Sequence, residues 1–149
     1  MGEAVPALRL GAMLAALLLL AGPSVPAAER IAGSIANRDA ARWYESGAPA
    51  LFVDLRSAGE RSQGGRLARA LWVPLRAARD VSAQDAARLG DAVLRAVAGD
   101  RTRTIVLFCA EGVKAIPAAE ALRASGFQSV LVVEGGLWAG EPWLAFDLE

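Results

Sequence analysis

The chain has 149 residues, room for one domain with a substantial core, and its formal net charge is zero. A neutral balance leaves no electrostatic footprint for nucleic acid or for an anionic membrane surface. Zero histidines exclude a Ser-His-Asp or Cys-His pair and any histidine metal site, and a single cysteine excludes an intramolecular disulfide and a cysteine zinc cluster.

The N-terminus places Arg9 before an apolar run over residues 10–21, followed by small residues around Ala27 and Ala28. About 20 residues are needed to span a bilayer, so the run is short for that purpose and fits the apolar segment of a secretory signal peptide. Pro23 stands where a lipoprotein would need a cysteine to anchor a lipid. Residues 1–28 therefore read as a signal peptide and 29–149 as one exported domain, periplasmic and free of the membrane after cleavage. A retained signal anchor is the alternative.

No internal repeat and no linker divides the remainder. "IANRDAARWYESG" reads as a short helix with Asn37 or Asp39 as N-cap and Gly47 as its stop. Residues 50–55, "ALFVDL", form a compact apolar run suited to a buried strand ending near Asp54. "SAGERSQGG" predicts one helical turn and a loop, and residues 70–75, "ALWVPL", a second strand interrupted at Pro74. Over residues 82–98, Ala86, Leu89, Val93 and Val97 recur at helical spacing, with Ser82 as cap and Gly99 as terminator.

"TIVLFC" predicts a third buried strand that ends in the only cysteine, Cys109. Residues 114–125 predict a helix stopped at Gly126, with Pro117 tolerated in its first turn. "SVLVVEGG" predicts a fourth strand running into a glycine pair. Strands alternating with helices imply an α/β fold, a small parallel sheet flanked by helices on both faces. Ligands of such sheets sit outside the carboxyl ends of the strands, where both Asp54 and Cys109 fall.

A loop of successive amides that opens a helix makes a nest for anions, reinforced by about half a positive charge at the helix N-terminus. A cysteine at the base of that nest has its thiolate, or the terminal sulfur of a persulfide, stabilised without a histidine base. The plainer alternative is an inert thiol acting as a small buried hydrophobe. Trp72, Trp138 and Trp143 read as core and lid packing.

Over residues 30–143 the chain resembles a single-domain member of the rhodanese-like sulfurtransferase family. "LFVDLRSAGE" is similar to the family's D-x-R-x-x-x-E stretch, carried here by Asp54, Arg56 and Glu60, a structural ion-pair and capping set near the site. "GGRLARALWVPL" resembles the family's Gly-His-x-x-Gly-Ala stretch, but the structural histidine is absent and Arg69 replaces the second glycine. "IVLFCAEGVKAIPAAEALRASGFQSVLVVEGGLWA" resembles the active-site loop, its helix and the closing Glu-Gly-Gly.

The resemblance implies that Cys109 is the nucleophile, that Ala110, Glu111, Gly112, Val113 and Lys114 form the substrate cradle, and that no cofactor or metal is used. It further implies a small sulfur-donor anion and a thiophilic acceptor as partners. Cysteine-based phosphatases and arsenate reductases of related shape carry an arginine where this chain has Ala115. Thiosulfate-using members place cations where this chain has Glu111 and Glu60, which predicts a poor fit for a dianion. A non-enzymatic binding module and an exported thiol redox protein remain the competing expectations.

Overall fold

The computed structural model describes residues 33–76, 79–140 and 146–147, so the expected signal segment and Trp143 lie outside the described residues. Strands β1 (Ser34–Ile35), β2 (Ala50–Asp54), β4 (Leu71–Trp72), β5 (Thr104–Phe108) and β6 (Ser129–Val133) form one sheet in the order β1-β6-β5-β2-β4. Every pairing in it is parallel. A separate antiparallel ladder joins β3 (Arg66–Leu67) to β7 (Phe146–Asp147). The helices are α1 (Asn37–Ser46), α2 (Ala58–Gly64), α3 (Ala83–Ala96) and α4 (Ala115–Ala124), with a single 3-10 turn at Leu137–Ala139. Among the described residues no helix is long and apolar enough to cross a membrane.

Residues 104–108 are all buried because β5 lies at the centre of the sheet and is covered on both faces. Its alternation divides the core in two. Ile105, Leu107 and Cys109 point toward α3 and α4, meeting Leu89, Val93, Ala118, Ala119 and Leu122. Val106 and Phe108 point the other way, toward Ala40 and Tyr44 of α1 and Phe52 of β2. Tyr44 meets the Phe52 ring edge-on at 5.2 Å. Each valine, leucine, isoleucine or phenylalanine among them contributes roughly 1.5–3 kcal/mol relative to leaving it in water.

Four differences from the sequence expectations have local causes. The cap of α1 is Ala36, not Asn37 or Asp39, because the Asn37 amide is drawn away to donate to the Gly136 carbonyl at 2.7 Å. The predicted single turn after β2 extends to a helix over Ala58–Gly64. Its capping box pairs the Ser57 hydroxyl with the Glu60 amide and the Glu60 carboxylate with the Ser57 amide. The strand expected over residues 70–75 contracts to Leu71–Trp72, although Val73 N still bonds Asp54 O at 2.9 Å and Leu75 N bonds Leu55 O at 3.2 Å. Pro74 between them has no N–H to give, which an edge strand tolerates. Finally, the sheet gains β1, a two-residue strand beside β6 with too little apolar pattern to be read.

The tryptophans also depart from expectation. Trp72 is 41% exposed and Trp138 50% exposed, so neither is a core residue. Trp72 lies on the edge strand, its indole donating to Arg56 O at 2.8 Å and Arg61 stacking on its ring at 4.2 Å. Arg69 holds β3 and β4 against α1. Its backbone N donates to the Tyr44 hydroxyl at 2.9 Å, its guanidinium donates to the Tyr44 carbonyl, and it lies over the Tyr44 ring at 4.4 Å.

Candidate functional site

The chain leaves β2 toward β4 on one side and returns as β5 on the other, so the sheet order reverses between β2 and β5. That reversal opens a crevice at the carboxyl ends of the two strands, the usual place for a ligand in an open parallel sheet. Asp54 ends β2 opposite Phe108, and Cys109 follows at once.

Cys109 is a free thiol, 2% exposed. Its Sγ accepts a hydrogen bond from the Gly112 amide at 3.1 Å, so the loop before α4 folds back over the sulfur. Gly112 reaches that geometry at φ +85°, where a side chain would be strained. The loop is braced from behind by the Glu-Gly-Gly turn after β6. Leu137 N donates to Cys109 O at 2.9 Å and Trp138 N donates to Ala110 O at 3.0 Å. A Cβ on Gly136 would lie 2.4 Å from Ala110 O and 2.5 Å from Gly112 N, so the glycine there is what lets the two backbones touch. The Asn37 contact to Gly136 O ties α1 into the same brace.

In front of the sulfur is a cleft of about 300 Å³ lined by Cys109, Ala110, Glu111, Val113, Lys114, Glu60 and Arg79. Six of the sequence-predicted residues thus share its wall, while Gly112 is buried behind it with its amide on the sulfur. Glu111 and Val113 are exposed at the mouth. Both also border a second groove of about 400 Å³ that runs to Ile116 and β6.

Lys114, the only lysine, caps α4 and turns its ammonium to the Glu60 carboxylate at 2.8 Å. Burial alone would raise the Glu60 carboxyl, but hydrogen bonds from Lys114 and Ser57 outweigh it and hold the group below its ordinary value of 4.5. Glu60 is therefore already partnered, and it weighs less against an anionic ligand than its formal charge suggests.

Asp54 and Arg56 do not line the cleft. They form a buried pair, 1% and 0% exposed, in which Arg56 N and Nε donate to Asp54 Oδ1 at 3.0 Å and the guanidinium reaches Oδ2 at 2.9 Å. The same guanidinium donates to Gly65 O at 2.8 Å, so the pair closes the start of α2 against its end. The sequence reasoning did not single out Arg79. It arrives from the stretch between β4 and α3, and one of the two arginines there carries no local signal of its destination.

Among curated proteins none matches the chain. Solved structures do. A protein of unknown function from Rhodopseudomonas palustris CGA009, described as a possible tyrosine phosphatase, is similar with a TM-score of 0.55 at 20% identity, covering 70% of this chain and 77% of its own. A rhodanese-related protein from Thermoplasma volcanium reaches 0.52 at 23% identity, covering 78% and 98%. A rhodanese-like domain protein from Staphylococcus aureus reaches 0.52 at 21% identity, covering 78% and 97%. Identities this low establish a shared fold. The sequence profile of the Rhodanese-like domain matches residues 37–140, from the first residue of α1 to the glycine after the 3-10 turn. With a strand-end cysteine beneath a braced amide loop, the chain belongs to the rhodanese-like domain family.

Proposed function

We propose that the protein is an exported sulfurtransferase that carries sulfane sulfur on Cys109. The observation that supports this best is the Gly112 amide on the Cys109 sulfur at the floor of a small cleft. An amide aimed at sulfur favours the thiolate before reaction and the charged outer sulfur of a persulfide after it. The start of α4 adds its dipole to the same place.

In the first half-reaction the Cys109 thiolate attacks the sulfane sulfur of the donor. An S–S bond forms on the enzyme, the donor's own bond to that sulfur breaks, and the leaving group departs with the electron pair. In the second half, a thiophilic acceptor attacks the outer sulfur and the thiolate is released. Ala110, Glu111, Val113 and Lys114 border the donor, while Gly112 holds the reacting sulfur. Phosphatase chemistry of the kind suggested for the Rhodopseudomonas palustris protein is disfavoured here, because Ala115 offers no cation to a tetrahedral oxyanion.

The test is intact mass after separate exposure to thiosulfate, mercaptopyruvate and polysulfide. The expected result is a gain of one sulfur atom that is absent in Cys109→Ser. No gain from any donor would point to a binding module, and a stable mixed disulfide with an added thiol would point to a redox protein. Export through cleavage near Ala28, with a periplasmic site of action, belongs to the same proposal and rests on the apolar run after Arg9.

A further inference from the structure

The charges around the Cys109 cleft do not suit a simple anion. Its lining holds two cations, Arg79 and Lys114, and two carboxylates, Glu60 and Glu111, so the wall as a whole is neutral. These four groups are not equivalent. Lys114 and Glu60 face each other at 2.8 Å, 14% and 25% exposed, and largely cancel. Arg79 and Glu111 are the exposed pair at the mouth, one of each sign. A dianion entering here gains one cation and meets one carboxylate. A donor with both signs of charge can satisfy both.

We propose that the cleft is built for a dipolar sulfur donor, an α-amino acid bearing a persulfide, with Arg79 receiving its carboxylate and Glu111 its ammonium. The proposal rests on the reading of Cys109 as the sulfur-accepting nucleophile and adds the class of molecule that loads it. An arginine fork matches a carboxylate in two parallel hydrogen bonds, and a carboxylate matches an ammonium as a point charge. A cleft of about 300 Å³ is at the small end for ligand sites, which suits a single amino acid. The transfer balances without a further reactant. The Cys109 thiolate attacks the outer sulfur of R–S–SH and the R–S bond to that sulfur's neighbour stays intact. The donor S–S bond breaks, and the leaving thiolate takes the persulfide proton, giving the Cys109 persulfide anion and R–SH.

Three donors separate the two contacts. L-Cysteine persulfide carries both charges, cysteamine persulfide only the ammonium, and 3-mercaptopropionate persulfide only the carboxylate. Loading of Cys109 is followed by mass on the full chain, with thiosulfate as a fourth donor. Cysteine persulfide is expected to load fastest. Arg79→Ala should shrink its advantage over cysteamine persulfide about threefold to fivefold, the size of an exposed charge pair, and leave the ratio to 3-mercaptopropionate persulfide nearly unchanged. Glu111→Gln should do the reverse. Both residues are exposed, so neither change endangers folding. Loading of Cys109 by these donors with ratios indifferent to both substitutions, or faster loading by thiosulfate than by cysteine persulfide, would overturn the dipolar site and leave the sulfurtransferase reading standing. Failure of every donor to load Cys109 would overturn both.

Discussion

Asp54 and Arg56 carry the D-x-R signature, yet neither touches the cleft. Their value is structural and depends on completeness. With Arg61 Nε also 3.3 Å from Asp54 Oδ2, the buried carboxylate is surrounded by cations, and the Arg56 guanidinium spends a further bond on Gly65 O. Removing one partner of such a pair leaves the other charged in a medium that cannot solvate it. Arg56→Ala is therefore expected to destabilise the fold by roughly 3–5 kcal/mol, read as a lower urea midpoint at unchanged slope. A loss below about 1 kcal/mol would mean that Arg61 alone suffices for Asp54.

At the scale of elements, the Lys114–Glu60 contact joins the cap of α4 to the first turn of α2 across the cleft. Because the folded state holds the Glu60 carboxyl below its ordinary 4.5, this contact contributes its full stability above that value and loses it as pH falls through the lower folded value. Wild-type protein should thus weaken on acidification below about pH 4.5 more than Glu60→Gln does, in urea titrations at matched salt. Lys114→Ala has the complementary effect on chemistry. It strips Glu60 of its cation at the cleft wall, and loading by thiosulfate should fall about twofold to fivefold, an effect that added salt reduces. Equal loading by wild type and Lys114→Ala at low salt would show that Glu60 does not act on the donor.

At the scale of the whole molecule, the family profile begins at residue 37, while the apolar run ends at residue 21. The first strand of the sheet begins at Ser34, so cleavage near Ala28 would leave β1 and its pairing with β6 in the mature chain. N-terminal sequencing of protein from its native compartment is expected to begin close to Ala28 or Glu29. Soluble cytoplasmic protein that starts at Met1 would refute export.

The sequence by itself determined the class of fold, the central strands and the cysteine's place at the end of one of them. Those features are written locally: apolar runs such as "TIVLF" bury on both faces, and Ser82 announces a helix start within a turn of its own position. It also pointed to Glu111 and Lys114, because both sit in the loop that carries Cys109. Only the tertiary structure decided how the charges combine. Glu60 meets Lys114 across 54 positions of chain, Asn37 braces Gly136 across 99, and Arg79 enters the cleft from a separate connection. Edge elements were hardest to read for the same reason. β1 is two residues long and was not anticipated, and the strand expected over residues 70–75 keeps only Leu71–Trp72, because their pairing is dictated by β6 and β2 rather than by any periodicity of their own. Packing of distant segments sets which charges cancel and which face a ligand, and no local pattern carries that information.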